Sequence, residues 1–362
     1  MRNYNMDFIR GIAVLGLVFM NGYAFGFTDF SYVSLTNPPT SDSIIQFFST
    51  LFIDGRFRTL FSLLFGAGLY IQWQRHTSIV QIKSRLYWLI IFGLVHGFLL
   101  WAGDILFIYG VSGWFIIKYL DTDNPKLLQK GIEFIVIAGV VTLLVMFSVT
   151  DDVNYRDSAQ FIDLYSPDYS DYFINNLVMY LMVIITVPLI TMWMCVGIML
   201  IGIYIYKEGI FDNGLSNQQL LVCIIGALIF CSIRLCTSVL EGGFGYAAQE
   251  FSNMFAALYV SVLYIHLAVK FCNNQAEIGK LVQQVGRIAF TLYITQTLMQ
   301  LLLYKILFPH WVLSFNRIDY WLVATCLVVI QLLFTITYSQ YFKQGPLEFI
   351  WRKLIDKKQF CN

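Results

Sequence analysis

Continuously apolar runs recur along almost the whole chain, at about residues 8–27, 55–73, 86–102, 105–118, 131–150, 177–205, 219–240, 254–271, 286–307 and 321–342. Crossing roughly 30 Å of hydrocarbon takes about 20 such residues in a helix. Inside lipid only helices and closed barrels satisfy every backbone N–H and C=O. A barrel strand would alternate apolar and polar residues in segments of about ten, and these runs do not alternate. The sequence therefore predicts an all-α, polytopic transmembrane helix bundle of about ten spans, with residues 1–362 forming one membrane-embedded helical domain. Composition agrees, since 58% of residues are hydrophobic and only 12% charged, outside the range of soluble domains. The first run is read as a retained helix and not as a signal peptide. Asp7 and Arg10 interrupt its start, and no small-residue cleavage site follows Phe27.

Orientation follows from the 23 Lys and Arg residues, because cytoplasmic loops carry the excess. With the N-terminus inside, 15 of them fall in cytoplasmic segments and only 2, Arg156 and Arg317, in the opposite loops. This bias predicts both termini in the cytoplasm and a multi-pass protein of the cell (inner or plasma) membrane. The largest external loop, residues 150–175, holds six aspartates, as a solvated surface would. None of the seven cysteines lies in an external loop, so neither a disulfide framework nor a CxxC metal site is expected. No loop exceeds about 26 residues, which leaves no room for a soluble catalytic or nucleotide-binding domain. Any chemistry must use the bundle itself.

Within the bundle, polar residues are few and grouped. Residues 86–117 would be about 48 Å long as one helix, so they must fold back near Gly103, with His96 near mid-bilayer and Asp104 at one mouth. Ionisable groups at that depth are costly and usually mark a substrate or proton path, although a core histidine bonded to a carbonyl would leave the same trace. Gly93 and Gly97 flank His96 in a small-xxx-small pattern that lets another backbone approach. On the first helix Asp7 and Arg10 share a face with Asn21, three turns further on. Arg56 and Arg58 follow Asp54, and their guanidinium forks suit carboxylate or phosphate groups. Snorkelling towards headgroups is the alternative. Arg234, Ser238 and Glu241 form a further stripe, and so do Tyr293, Gln296 and Gln300, with Arg287 at the cytoplasmic entrance. Pro188 predicts a kink in the sixth run.

The segments MDFIRGIAVLGLVFMN (residues 6–21), FRTLFSLLFGAG (57–68), GLVHGFLLWAGDILFIYG (93–110), VGRIAFTLYITQ (285–296) and GPLEFIWRKL (345–354), in this order, resemble the YeiB-like family. These are bacterial integral membrane proteins grouped under a domain of unknown function. That family is in turn distantly similar to the transmembrane acyltransferase superfamily, which includes heparan-glucosaminide N-acetyltransferase and the acyltransferase-3 enzymes. The resemblance implies an enzyme that takes an acyl group from cytoplasmic acyl-CoA and passes it to an acceptor at the external side. Acyltransferase-3 enzymes place a catalytic histidine eleven residues after the arginine of DxxRG, where this chain has Asn21. Asparagine cannot act as a base but can donate a hydrogen bond to an oxyanion.

The leading expectation is therefore a transmembrane acyltransferase. Arg10, Arg75, Lys83, Arg85 and Arg287 would hold acyl-CoA as a co-substrate, with no tightly bound cofactor and no metal. His96 would be the base, Asp104 would orient the acceptor or tune the imidazole, and Asn21 would polarise the carbonyl. Arg56, Arg58, Arg234 and Glu241 would bind an anionic, small-molecule or glycan acceptor. The alternative is a secondary transporter or exporter of an anionic or lipid-linked molecule, with His96 or Asp104 coupling protons. A non-catalytic membrane partner is a third reading. Expected partners are membrane lipids and no nucleic acid, and the Gly22 to Gly26 spacing permits a homodimer.

Overall fold

The computed structural model describes residues 3–27, 32–75, 78–147, 155–158, 161, 168–240, 242–272 and 277–357. Among the described residues every regular element is a helix. In chain order these are α1 (Tyr4–Gly26), α2 (Thr40–Phe52), α3 (Arg56–Gln74), α4 (Ile79–Leu99), α5 (Leu106–Ile116), α6 (Asn124–Phe147) and α7 (Tyr169–Thr186). They continue with α8 (Thr191–Lys207), α9 (Asn217–Thr237), α10 (Gly242–Phe271), α11 (Glu277–Arg287), α12 (Ala289–Leu301), α13 (Arg317–Tyr341) and α14 (Pro346–Lys357). Single helical turns occupy Ile210–Asn213 and Trp311–Ser314, and Leu302–Leu307 continues α12 as a π-helix.

This is a membrane protein, but among the described residues six helices, not ten, are long and apolar enough to cross a bilayer on their own: α1, α4, α6, α9, α10 and α13. The pair α7 and α8 adds a seventh if it is one span, although it bends by 62°. The difference has local causes that a hydropathy run conceals. Pro188 sits at the bend between α7 and α8, where the ring removes a backbone donor. The run at 286–307 breaks at Ile288 and finishes as the π-segment, leaving α12 only 13 residues long. The α5 helix has 11 residues, and α3 spends part of its 19 on Arg56, Arg58 and other polar groups.

At the centre of the bundle α3 packs on both α1 and α8; α1 packs in turn on α11, and α8 on α5 and α6. Small residues permit this closeness. A Cβ on Gly66 of α3 would stand 2.0 Å from the Met199 carbonyl oxygen, and one on Gly202 of α8 would stand 2.1 Å from that of Leu63. The two backbones therefore touch directly. Around this centre α9 and α13 turn large apolar side chains outward, among them Leu221, Val222, Leu228, Leu322 and Leu333. Lipid, not water, suits such a surface.

The Gly22 to Gly26 spacing of α1 is used inside the chain. A Cβ on Gly26 would lie 2.3 Å from the Tyr320 hydroxyl oxygen and one on Gly22 would approach Gln300. That face meets the chain's own helices, so it offers no ground for a dimer.

Candidate functional site

At the end of the bundle that carries Asn3, a cavity of about 430 Å³ opens between α1, α3, α4, α5, α11, α12 and α14. Arg10, Arg75, Arg85 and Arg287 line its mouth together with Asp7 and Glu348. Phe61, Leu64, Phe65, Leu69, Leu89 and Phe290 form its walls, and Ile105, Leu106, Tyr109 and Tyr293 close its deep end. A cationic rim over an apolar shaft fits an anionic amphiphile, because the rim attracts the head and the shaft takes the tail.

Two backbone contacts build the rim. A Cβ on Gly286 would stand 1.8 Å from the Asp7 carbonyl oxygen, and one on Gly11 would stand 2.1 Å from that of Val282. The DFIRG and VGRI segments thus cross without side chains between them. Asp7 lies between two guanidiniums as a result, with Arg10 3.0 Å away on one side and Arg287 3.9 Å away on the other. Arg85 stacks on Trp351 at 4.4 Å, and the Trp351 indole donates back to the Arg85 carbonyl at 3.2 Å.

Glu348, from the GPLEFIW segment, closes the rim by capping α12. Ile288 precedes that helix and has no side chain that can cap it. Glu348 Oε1 instead accepts from the amides of Phe290 at 2.9 Å and Thr291 at 3.1 Å. A carboxylate at a helix N-terminus satisfies orphan donors and complements the helix dipole. It also fixes the rotation of α12, on which Tyr293 and Thr297 sit.

Beyond the deep end, His96 and Asp104 meet. Asp104 was expected at a mouth, but it is 1% exposed and its Oδ1 lies 3.0 Å from His96 Nδ1. The chain doubles back between Leu100 and Ile105, so the two residues share no helix. Asp104 Oδ2 accepts from the Phe107 amide at 2.7 Å, in the first turn of α5, which holds the carboxylate in place. On the other edge of the ring, His96 Nε2 is 3.0 Å from Thr297 Oγ1. The Tyr293 ring lies 5.3 Å from the imidazole and separates it from the cavity.

Helix α7 secures this corner with residues spaced four apart, which share one face. Tyr172 donates to the Leu100 carbonyl at 2.8 Å and Tyr180 to the Gly93 carbonyl at 2.9 Å. Asn176 donates to Gly97 at 2.9 Å and accepts from the Ala102 amide at 2.6 Å. The bonds to Gly97 and Leu100 satisfy carbonyls left open where α4 ends, and the bond to Gly93 falls one turn further into the helix.

The remaining expected site residues lie elsewhere. Lys83 is exposed, near Trp114, and does not line the cavity. Arg56 is fully buried and donates to the carbonyls of Leu51 and Asp54 and to Asn253 Oδ1. Arg234 pairs with Asp54 at 3.5 Å and Glu250 at 3.6 Å. Together they form a second polar cluster, across α3, α9 and α10. Arg58 belongs to α3 beneath it, where its carbonyl accepts from the Tyr109 hydroxyl at 2.8 Å. Asn21 is buried on α1, and no hydrogen bond joins it to His96. Glu241 lies outside the described residues.

Comparison with known proteins agrees with the motifs. Residues 205–358 match a family model described as "Protein of unknown function (DUF418)". The chain is 28% identical to the uncharacterized protein YeiB of Escherichia coli K12, over 98% of its own length and 96% of that protein's. It is 22% identical to the uncharacterized protein YxaH of Bacillus subtilis 168, over 96% and 92% of the two chains. An uncharacterized 39.9 kDa protein encoded beside an amylase in Bacillus acidopullulyticus is 24% identical, over 98% and 94%. The chain is therefore similar to YeiB and its uncharacterized relatives along nearly its whole length, and its C-terminal part matches the DUF418 family model; these names leave function open.

Proposed function

We propose that this protein is a transmembrane acyltransferase of the inner or plasma membrane, with both termini in the cytoplasm. It takes an acyl group from acyl-CoA and delivers it to an acceptor that arrives from the external side. One observation carries the reading: four of the five cations expected to hold CoA, namely Arg10, Arg75, Arg85 and Arg287, line a single cavity whose deep end abuts His96 and Asp104. Phosphates of the donor sit among the guanidiniums, and the pantetheine arm runs down the apolar shaft with its thioester towards Tyr293. His96 is the base, with Asp104 holding the proton on Nδ1 and stabilising the imidazolium that forms. Asn21 polarises the thioester carbonyl, and Arg58 belongs to the acceptor side. Arg56 and Arg234, whose donors already serve protein acceptors, maintain the fold around it.

Acetyl-CoA and long-chain acyl-CoA binding to purified protein in nanodiscs tests this directly. The expected result is binding that Arg287→Ala weakens by about tenfold or more, the worth of one charge-assisted hydrogen bond. Well-folded protein that binds neither donor rules the reading out.

A second reading, secondary transport of an organic anion, draws on the 62° break between α7 and α8, since transporters build sites from broken helices. Accumulation of an anion in proteoliposomes under a pH gradient, without any acyl donor, distinguishes it.

A further inference from the structure

The nitrogen of His96 that can take a proton is already occupied. With the proton assigned to Nδ1, beside Asp104, Nε2 is the acceptor, and the group facing it is the Thr297 hydroxyl at 3.0 Å. His96, Asp104 and Thr297 are 1%, 1% and 2% exposed. An external acceptor has no place at Nε2 while Thr297 fills it.

The direction of the Thr297 hydroxyl is unusual in this bundle. Thr186, Thr237, Thr325, Thr335 and Thr337 all donate to the carbonyl four residues back in their own helices, as helical threonines commonly do. Thr297 turns instead to an imidazole contributed by a segment 201 residues away. Asp104 Oδ1 stands 3.0 Å from the opposite ring nitrogen, and the Tyr293 ring packs nearby. Carboxylate, imidazole and hydroxyl in this order are the arrangement that turns an alcohol into a nucleophile, and threonine serves in that role.

We infer that Thr297 is the acyl-accepting nucleophile, so that transfer proceeds through a threonyl ester in the interior of the bundle. The inference rests on the acyl-CoA reading above. In the first half, Thr297 Oγ1 attacks the thioester carbonyl while its proton passes to His96 Nε2. The C–S bond breaks, and the departing thiolate takes that proton to leave as free CoA. In the second half, an acceptor hydroxyl or amine gives its proton to Nε2 and attacks the ester carbonyl. The C–O bond to Thr297 breaks and its oxygen recovers the proton. No electrons are exchanged. The Tyr293 ring, which lines the cavity and covers the imidazole, swings aside to admit the thioester. The ester resolves a geometric difficulty, because the donor leaves through the Arg-lined mouth before an acceptor is needed on the other side.

The test needs no knowledge of the acceptor. Wild-type protein in nanodiscs is incubated with acetyl-CoA and tritiated CoA, exchange of label into acetyl-CoA is followed, and the acylated peptide is mapped by mass spectrometry. Unfolding midpoints are recorded for every variant. The expected result is exchange without acceptor and an ester on residue 297. Thr297→Ser retains both, and Thr297→Val and His96→Gln lose exchange by about 10²-fold or more. If Thr297→Val unfolds, the mapped position in wild type and in Thr297→Ser decides. Donor binding that depends on Arg287 with neither exchange nor adduct overturns the threonyl ester and leaves direct transfer from acyl-CoA standing. Exchange that survives in folded Thr297→Val overturns it as well. Absence of donor binding to folded protein removes both the ester and the acyltransferase reading.

Discussion

Gly93 and Phe107 are in backbone contact: a Cβ on Gly93 would stand 2.2 Å from the Phe107 nitrogen and 2.8 Å from Asp104 Oδ2. The absence of a side chain there is what lets α5 lie against α4 and brings the Asp104 carboxylate to His96.

Gly93→Ala is accordingly expected to cost about 1–3 kcal/mol by overpacking, read as a lower unfolding midpoint in nanodiscs. Gly68→Ala is the control for stability. Nothing lies within 4 Å of a Cβ at that position, so the gain in helix propensity keeps or raises the midpoint. Equal loss in both variants would refute the packing argument.

The rim cations should separate by position. Arg10→Ala and Arg287→Ala are each expected to weaken acyl-CoA binding by about 1.5–3 kcal/mol, measured by titration calorimetry. Lys83→Ala, outside the cavity, should leave the affinity unchanged. A Lys83 effect as large as that of Arg287 would place the donor elsewhere.

Removing the cap on α12 should act at a distance. Glu348→Ala leaves the Phe290 and Thr291 amides without their acceptor, at a cost of about 0.5–2 kcal/mol. Glu348→Gln, which keeps an acceptor oxygen, should lose less. Hydrogen exchange at Phe290 and Thr291 reports the change, and unaltered protection in Glu348→Ala would show that the cap is idle.

The Arg56 cluster is expected to be structural. Asn253→Ala removes an acceptor from a fully buried guanidinium and should destabilise by about 1–3 kcal/mol, while the folded fraction still binds acyl-CoA normally. Weakened binding in fully folded Asn253→Ala would move Arg56 into the ligand site.

A loop contact provides a pH test. Asp157 accepts from the Thr36 amide at 3.0 Å and its hydroxyl at 2.9 Å, and these bonds hold its carboxyl below the usual aspartate range. A depressed value means that the contact stabilises the fold above the ordinary aspartate pKa and is lost as pH falls through the lowered one. The protection factor of the Thr36 amide should therefore drop in acid, and in Asp157→Asn, which keeps an acceptor oxygen but does not titrate, it should be insensitive to pH over the same range.

The helical class was legible because lipid permits so few backbone solutions, and several residues around the cavity were legible because charge in an apolar run stands out. His96, Arg10 and Arg287 announce themselves in that way, and Gly93 and Gly97 carry a packing rule. The number of spans was not legible, since a run of apolar residues reads alike whether or not Pro188 or the break at Ile288 divides it. Nor was the meeting of Asp104 with His96, which depends on the path of the turn at residues 100–105. Thr297 gave no signal: a threonine in a helix is commonplace, and its partner lies 201 positions away. Glu348 stood only as one letter of the GPLEFIWRKL segment, its purpose visible only against the start of α12.

The crossing of Gly11 with Val282 and of Gly286 with Asp7, together with the Glu348 cap, has a consequence for biogenesis. Arg10 lies on α1, whereas Arg287 and Glu348 lie on α11 and α14, hundreds of positions further along the sequence. The rim therefore comes together only when helices far apart in the sequence associate within the bilayer, and it belongs to the late stage of bundle assembly. A lesion that slows helix association would reach the rim and the clamped α12 before it disturbed the individual helices.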